Sequence, residues 1–233
     1  TVGVSCGSGT FSLTQSELLV FNPTGSTGLT VDSNNGGDIN IGTFTSTNTH
    51  LYRFRSAENI TVTGTVSTAG KLYLVADSLE DSSDSINLSA GIFNIGSDFN
   101  LHGPTCVSTC NSGLENLVLP NVNNTITISD NLSTNFASFT SGSNSGFIYR
   151  FGSITGGTSA DSFVIDYSSG TPNILGTIDG GTGLDKLDFL NNSSGVNFDF
   201  DNSRATDASE RSFDYSNIES FVGGTGDDTF EMD

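Results

Sequence analysis

The chain has 233 residues, with 26 acidic side chains against 7 basic ones and a formal net charge of −19. That balance leaves no basic stripe to hold phosphates, which excludes nucleic acid as an expected partner and disfavours anionic membrane surfaces. Apolar residues at 34% together with 28 glycines still provide for a sizeable core, whereas charged residues at 14% fall well below the usual share of about 25%, so the surface is left to Ser, Thr and Asn.

Residues 1–28 read as a capping or lead-in segment. Within it residues 17–21 suit either a buried strand or one helical turn, and Asn22-Pro23-Thr24-Gly25 is a turn because Pro presets one backbone angle and Gly accepts the next. From residue 29 onward the pattern is a series of short alternating runs bounded by Gly, Asn, Asp or Ser. The runs are 37–42, 59–64, 71–77, 85–89, 98–103, 116–119 and 125–129. Period two with β-branched residues is a strand signature. Strands so short do not stand alone but become stable when stacked. No window carries a capped three-and-four apolar spacing, so little or no helix is expected.

Phe136, Phe139, Phe147, Tyr149 and Phe151 offer an aromatic column inside such a stack. Residues 196–201 alternate strictly, with Asn197, Asp199 and Asp201 on the outward side. The stretch 153–233 carries a repeated unit. Gly156-Gly157, Gly180-Gly181 and Gly223-Gly224 are each followed four residues later by Asp161, Asp185 or Asp228, and two residues after that by Phe163, Leu187 or Phe230. Paired glycines let the chain turn sharply and let another backbone approach, an Asp on the exit side bonds the turn's amides or offers oxygen to a hard cation, and the apolar residue starts a strand. The aspartates are 24 and 43 residues apart, which fits one solenoid rung followed by two. The fold expected is a single all-β solenoid over 29–233, of about ten rungs, with each turn of chain laying a strand on the turn before.

Cys106 and Cys110 lie four apart in a Ser/Thr-rich loop without His, which points to a local disulfide rather than zinc, and hence to an oxidising compartment; Cys6 is left over. No apolar run approaches the roughly 20 residues of a membrane helix. The chain starts at Thr1 with no signal-peptide pattern and reads as a mature or excised piece of something longer.

The runs over residues 37–77 resemble the filamentous-haemagglutinin type of bacterial surface adhesin. The units around 178–185 and 217–230 are similar to those of very large secreted adhesins and to calcium-binding nonapeptide repeats of the RTX kind. The resemblance implies a right-handed parallel β-helix, secretion to the bacterial cell surface, and a role in adhesion. It also implies calcium at Asp161, Asp185 and Asp228, with Asp179 and Asp227 as neighbouring candidates. Unlike those repeats the units here stand alone, so a full cage of about six to eight oxygens requires help from adjacent rungs.

A parallel β-helix is also a scaffold of polysaccharide lyases and hydrolases, which need clustered carboxylates with a basic residue, or a carboxylate pair at a set separation. Arg53 and Arg55 with Glu58, and Arg150, are the only material for this, and the two arginines alternate with Tyr52 and Phe54 as solvent-face residues would. His50 and His102 read as isolated surface residues. The chain is therefore expected to be non-catalytic: an extracellular structural or adhesive segment whose partners are neighbouring segments of a longer chain, other copies of itself, or a cell-surface glycan or protein. A self-assembling fibre subunit is the alternative, and a β-helix enzyme a more distant one.

Overall fold

The computed structural model describes residues 2–5, 11–13, 28–33, 37–76, 84–103, 116–129, 136–166 and 176–232. The protein is all-β, with no helix among these residues. Its strands form two eleven-stranded sheets and one three-stranded sheet, joined mostly by parallel pairs.

Consecutive strands are dealt to the sheets in rotation. β1 (Val2–Ser5) and β2 (Phe11–Leu13) begin the first and second sheets, so the expected lead-in segment supplies an edge strand to each. β3 (Leu29–Ser33), β4 (Ile39–Ile41) and β5 (Phe44–Ser46) then join the first, second and third sheets in turn. β6 (Leu51–Ser56), β7 (Ile60–Val62) and β8 (Thr65–Thr68) repeat the rotation, as do β9 (Lys71–Val75), β10 (Ser85–Asn87) and β11 (Ile92–Ile95). β12 (Phe99–His102) and β13 (Asn116–Val118) extend only the first two sheets, and the third sheet ends with β11.

The expectation that every strand lies parallel on the last does not hold throughout. β14 (Asn124–Ser129), β15 (Phe136–Ser141) and β16 (Asn144–Tyr149) pair antiparallel and together enter the first sheet. β17 (Ser153–Thr155), β18 (Ser162–Asp166), β19 (Thr177–Asp179) and β20 (Lys186–Asp188) restore parallel pairing across both sheets. A second antiparallel triplet, β21 (Val196–Asp199), β22 (Arg204–Asp207) and β23 (Ser212–Ser216), then enters the second sheet, before β24 (Ser220–Val222) and β25 (Thr229–Glu231) close the first and second. Two of the reversals fall on turns whose geometry is plain. Gly142 takes φ +59° in the two-residue link of β15 to β16, where a left-handed first position suits a tight hairpin. Between β22 and β23, Asp207 Oδ1 accepts from the N–H groups of Ser209 and Arg211, and Glu210 sits at φ +62°.

Alternation decides what is buried. In the second sheet Ile39, Ile60, Ile86, Leu117, Ile154, Ile178 and Tyr215 lie opposite one another from strand to strand, all inward. In the first, Val31, Phe54, Leu74, Leu101 and Ile148 do the same. Such columns repeat every 4.7–4.9 Å and bury like side chains on like, which is how strands with one or two inward residues share a single core. Of the aromatic residues expected inside, Phe139 and Phe151 are buried, but Phe147 is 38% exposed. Gly146 and Ile148 take the inward positions of β16, which turns Phe147 and Tyr149 to the outer face; the side chain of Phe136 lies outside the described residues, as do Cys6, Cys106, Cys110 and residues 17–21. Val196 and Phe198 are buried and Asn197 and Asp199 face out as expected, although β21 ends at Asp199, before Asp201.

Candidate functional site

The repeated Gly-Gly units each bridge two strands. Gly156 and Gly157 follow β17 and Asp161 precedes β18; Gly180 and Gly181 follow β19 and Asp185 precedes β20. Both therefore lead from the second sheet to the first. The third unit does the reverse, since Gly223 and Gly224 follow β24 and Asp228 precedes β25.

The same packing explains the first glycine of each pair: a Cβ at Gly156, Gly180 or Gly223 would collide with the Oδ2 of Asp161, Asp185 or Asp228 folded over it. The second glycine is needed for its backbone angle in the first two units, with φ +121° at Gly157 and +87° at Gly181. Each Asp then hooks the neighbouring strand. Asn124 donates its N–H to Asp161 Oδ1 (2.7 Å), Asp161 donates its N–H to Asp185 Oδ1 (2.7 Å), and Asp185 donates its N–H to Glu219 Oε2 (2.8 Å). These residues open, or lie just before, β14, β18, β20 and β24, so a polar column runs up the entry to the first sheet. At the opposite corner Val196 donates its N–H to Asp228 Oδ1 (2.9 Å) in the same manner.

Asn124, Asp161 and Asp185 are buried, with Asp161 2% and Asp185 0% exposed, whereas Glu219 at the end of the column is exposed. Burial pushes the Asp161 carboxyl up to about 7, against the opposing pull of the two Asn124 bonds and with a smaller push from Asp185. Burial also raises Asp185, opposed by the Asp161 amide and reinforced by the charges of Glu219 and Asp179. Oδ2 of each has no hydrogen-bond partner. Asn124, at the same place in the column, instead donates Nδ2 to the carbonyls of Pro120, Val122 and Gly156.

The five candidate calcium ligands are thus dispersed. Asp161 and Asp185 share the column, Asp179 Oδ1 accepts from Gly181 N–H and Asn217 Nδ2, Asp227 is exposed, and Asp228 lies at the other corner. Among the described residues no group of three or more His, Cys, Asp or Glu is placed to share a metal ion, and the Oδ2 atoms of Asp161, Asp185 and Asp228 lie against Gly156, Gly180 and Gly223.

The outer face of the first sheet carries a different constellation. Arg53, Tyr73, Asn100 and Phe147 lie opposite one another on β6, β9, β12 and β16, and His102 lies opposite Tyr149 in the next column. The His102 ring stacks on Tyr149 at 4.3 Å and 13° and stands 6.0 Å from Tyr73; the Arg53 guanidinium lies 5.7 Å from the centre of the Tyr73 ring. Burial in this stack, followed by the charges of Arg53 and Arg150, lowers His102 to about 4, so it is a neutral ring at physiological pH rather than an isolated surface imidazole. Tyr52 and Phe54 are buried and Arg53 and Arg55 face outward, Arg55 pairing with Asp32 at 3.2 Å; Glu58 falls in the turn after β6. Alternation within single strands does not disclose this face as a unit. Its signal is the outward register of aromatic residues on strands about 20 to 50 residues apart, which only the pairing reveals.

No family model matches the chain, and neither a curated protein nor a solved structure does. Among the described residues no helix is long and apolar enough to cross a membrane.

Proposed function

We propose that this chain is a non-catalytic scaffold: a right-handed parallel β-helix of about ten turns forming a rigid, acidic, extracellular segment of a bacterial surface adhesin. The observation that carries the reading is the in-register stacking, in which inward columns and the Asn124–Asp161–Asp185–Glu219 column both run across successive passes of chain. Such an architecture is stiff along the stacking direction because every pass is bonded to the one before. Two of its most buried carboxylates, Asp161 and Asp185, are bonded to backbone amides, an arrangement suited to holding turns together. Eleven strands at the usual spacing give a rod about 50 Å long. Electron microscopy of the purified protein should show monodisperse rods of that length; compact spheres would overturn the reading, as would release of unsaturated sugars from an acidic polysaccharide.

A second reading, a subunit that assembles end to end, is favoured by the last strands. β24 and β25 are the outermost members of their sheets, and beside them Phe230 is 52% and Met232 75% exposed. Open edges with apolar side chains invite pairing with another chain. Fibres in the same micrographs, or a native mass that grows with concentration, would favour this version over the isolated rod.

A further inference from the structure

We propose that the outer face of the first sheet, where the ring stack around Tyr73 and Tyr149 meets the hydroxyl-lined cleft beside Phe147, binds a uronic-acid polysaccharide. The first support is charge. The chain has 7 basic residues against 26 acidic ones, yet Arg53, Arg55, Lys71 and Arg150 gather about this one face. Arg55 pairs with Asp32 and Lys71 with Asp98. Arg53 has no carboxylate partner among the described residues and lies against the Tyr73 ring, and Arg150 is close enough to act on His102. On so acidic a protein the Arg53 guanidinium, held over a ring, suits a carboxylate-bearing ligand, since Arg is the side chain whose fork matches a carboxylate.

The second support is the surface beside it. A cleft of about 300 Å³ opens on the same face, and Phe147 forms one wall. It is lined as well by the hydroxyl residues Thr125, Thr127, Ser138, Thr140 and Ser145, and by Asp98, whose carboxylate is paired with Lys71. By register Ser138 lies opposite Phe147 on one side and Thr127 on the other, so the hydroxyls continue the aromatic column without a break. Hydroxyls both donate and accept and so complement sugar hydroxyls, while an exposed phenyl ring offers an apolar surface to sugar C–H groups. A peptide would instead seek an open strand edge, and this face lies mid-sheet, where every strand is already paired on both sides. The combination of guanidinium, ring and hydroxyl row therefore favours an acidic glycan over a protein segment.

The proposal deepens the scaffold reading, resting on it only for an accessible lateral face. The test is electrophoresis of the whole protein through gels containing polygalacturonate, dextran or poly-glutamate, with calorimetric titration of polygalacturonate. Retardation is expected with polygalacturonate alone. Arg53→Ala and Phe147→Ala should each weaken binding at least tenfold, with unchanged far-ultraviolet circular dichroism, while Arg204→Ala, on the second sheet, should bind as the parent does. No retardation by polygalacturonate, equal retardation by poly-glutamate, or variants that bind like the parent would overturn the proposal. Rods that bind no glycan would remove this site and leave the scaffold standing; bound polygalacturonate that is shortened to unsaturated fragments would keep the site and remove the non-catalytic reading.

Discussion

The passage from the second sheet back to the first is closed in two ways along the molecule. Between β4 and β12 it runs through the third sheet, where β5, β8 and β11 bond to one another backbone to backbone. Beyond β13 the third sheet is gone, and the passage is closed by tight arches whose Asn124, Asp161, Asp185 and Glu219 side chains hook the backbone of the adjacent pass. The change coincides with the antiparallel triplet β14–β16, after which each return to the first sheet lands further along it than before. A backbone ladder is indifferent to sequence and to pH. A side-chain ladder is indifferent to neither, since it demands glycine beneath each aspartate and places titratable groups in the interior.

The sharpest way to break the second mode is to fill the space under an Asp. A methyl at Gly180 would overlap the Asn217 carbonyl oxygen and lie 2.7 Å from Asp185 Cβ, so Gly180→Ala should cost at least about 3 kcal/mol in urea denaturation. Gly42, in the first mode, has nothing within 4 Å of where a methyl would stand, and Gly42→Ala should change stability by less than about 1 kcal/mol.

The next effect is on pH. Asp161 has a folded-state pKa of about 7, above its unfolded value, so the folded state holds the extra proton and stability falls as pH rises from about 4 to 7. Asp161→Asn mimics Asn124, supplying a donor where Oδ2 has no partner, and should flatten the profile and raise stability at pH 8, measured by urea midpoints across pH. A variant that keeps the parent slope would show that the column is not its source.

His102 sharpens the comparison from the other side. Its folded value of about 4 lies below the unfolded one, so its contribution is present above about pH 6.5 and is lost as pH falls toward 4. His102→Gln should therefore remove a destabilisation on the acid side, smaller than the Asp161 effect and opposite in sign. The smallest expected effect is that of chelation: the carboxylates of the second mode are bonded to amides, so excess EDTA should move the melting temperature by less than about 2 °C. A larger drop would favour cation binding at Asp161 and Asp185.

Much of the strand pattern is legible in alternation, because runs such as Asn59-Ile60-Thr61-Val62 place their apolar residues on one side only. The third sheet is not. β5 is Phe-Thr-Ser, with a single buried side chain, and a strand of that kind is recognisable only by what it stacks upon. The hairpins are hidden for a related reason: Gly142 and Asp207 are ordinary turn residues, and nothing local distinguishes a turn that reverses the chain within a sheet from one that leads to the next sheet. The Gly-Gly-x-x-x-Asp units are visible as a repeat, and the close approach that their glycines imply is found at all three. Their aspartates suggest cation ligands through a resemblance in sequence to RTX repeats, and Asp161, Asp185 and Asp228 each accept a backbone amide from the neighbouring pass.

The two antiparallel triplets add strands to different sheets, and those sheets finish equal at eleven strands each. They work as matched shims: thickening one side of a stack alone tips everything above it, whereas an equal thickening of the other side brings the top level again. Removing β14–β15 without β21–β22 should therefore leave a bent stump, and excising both pairs should yield a shorter but straight column, a distinction visible in small-angle scattering.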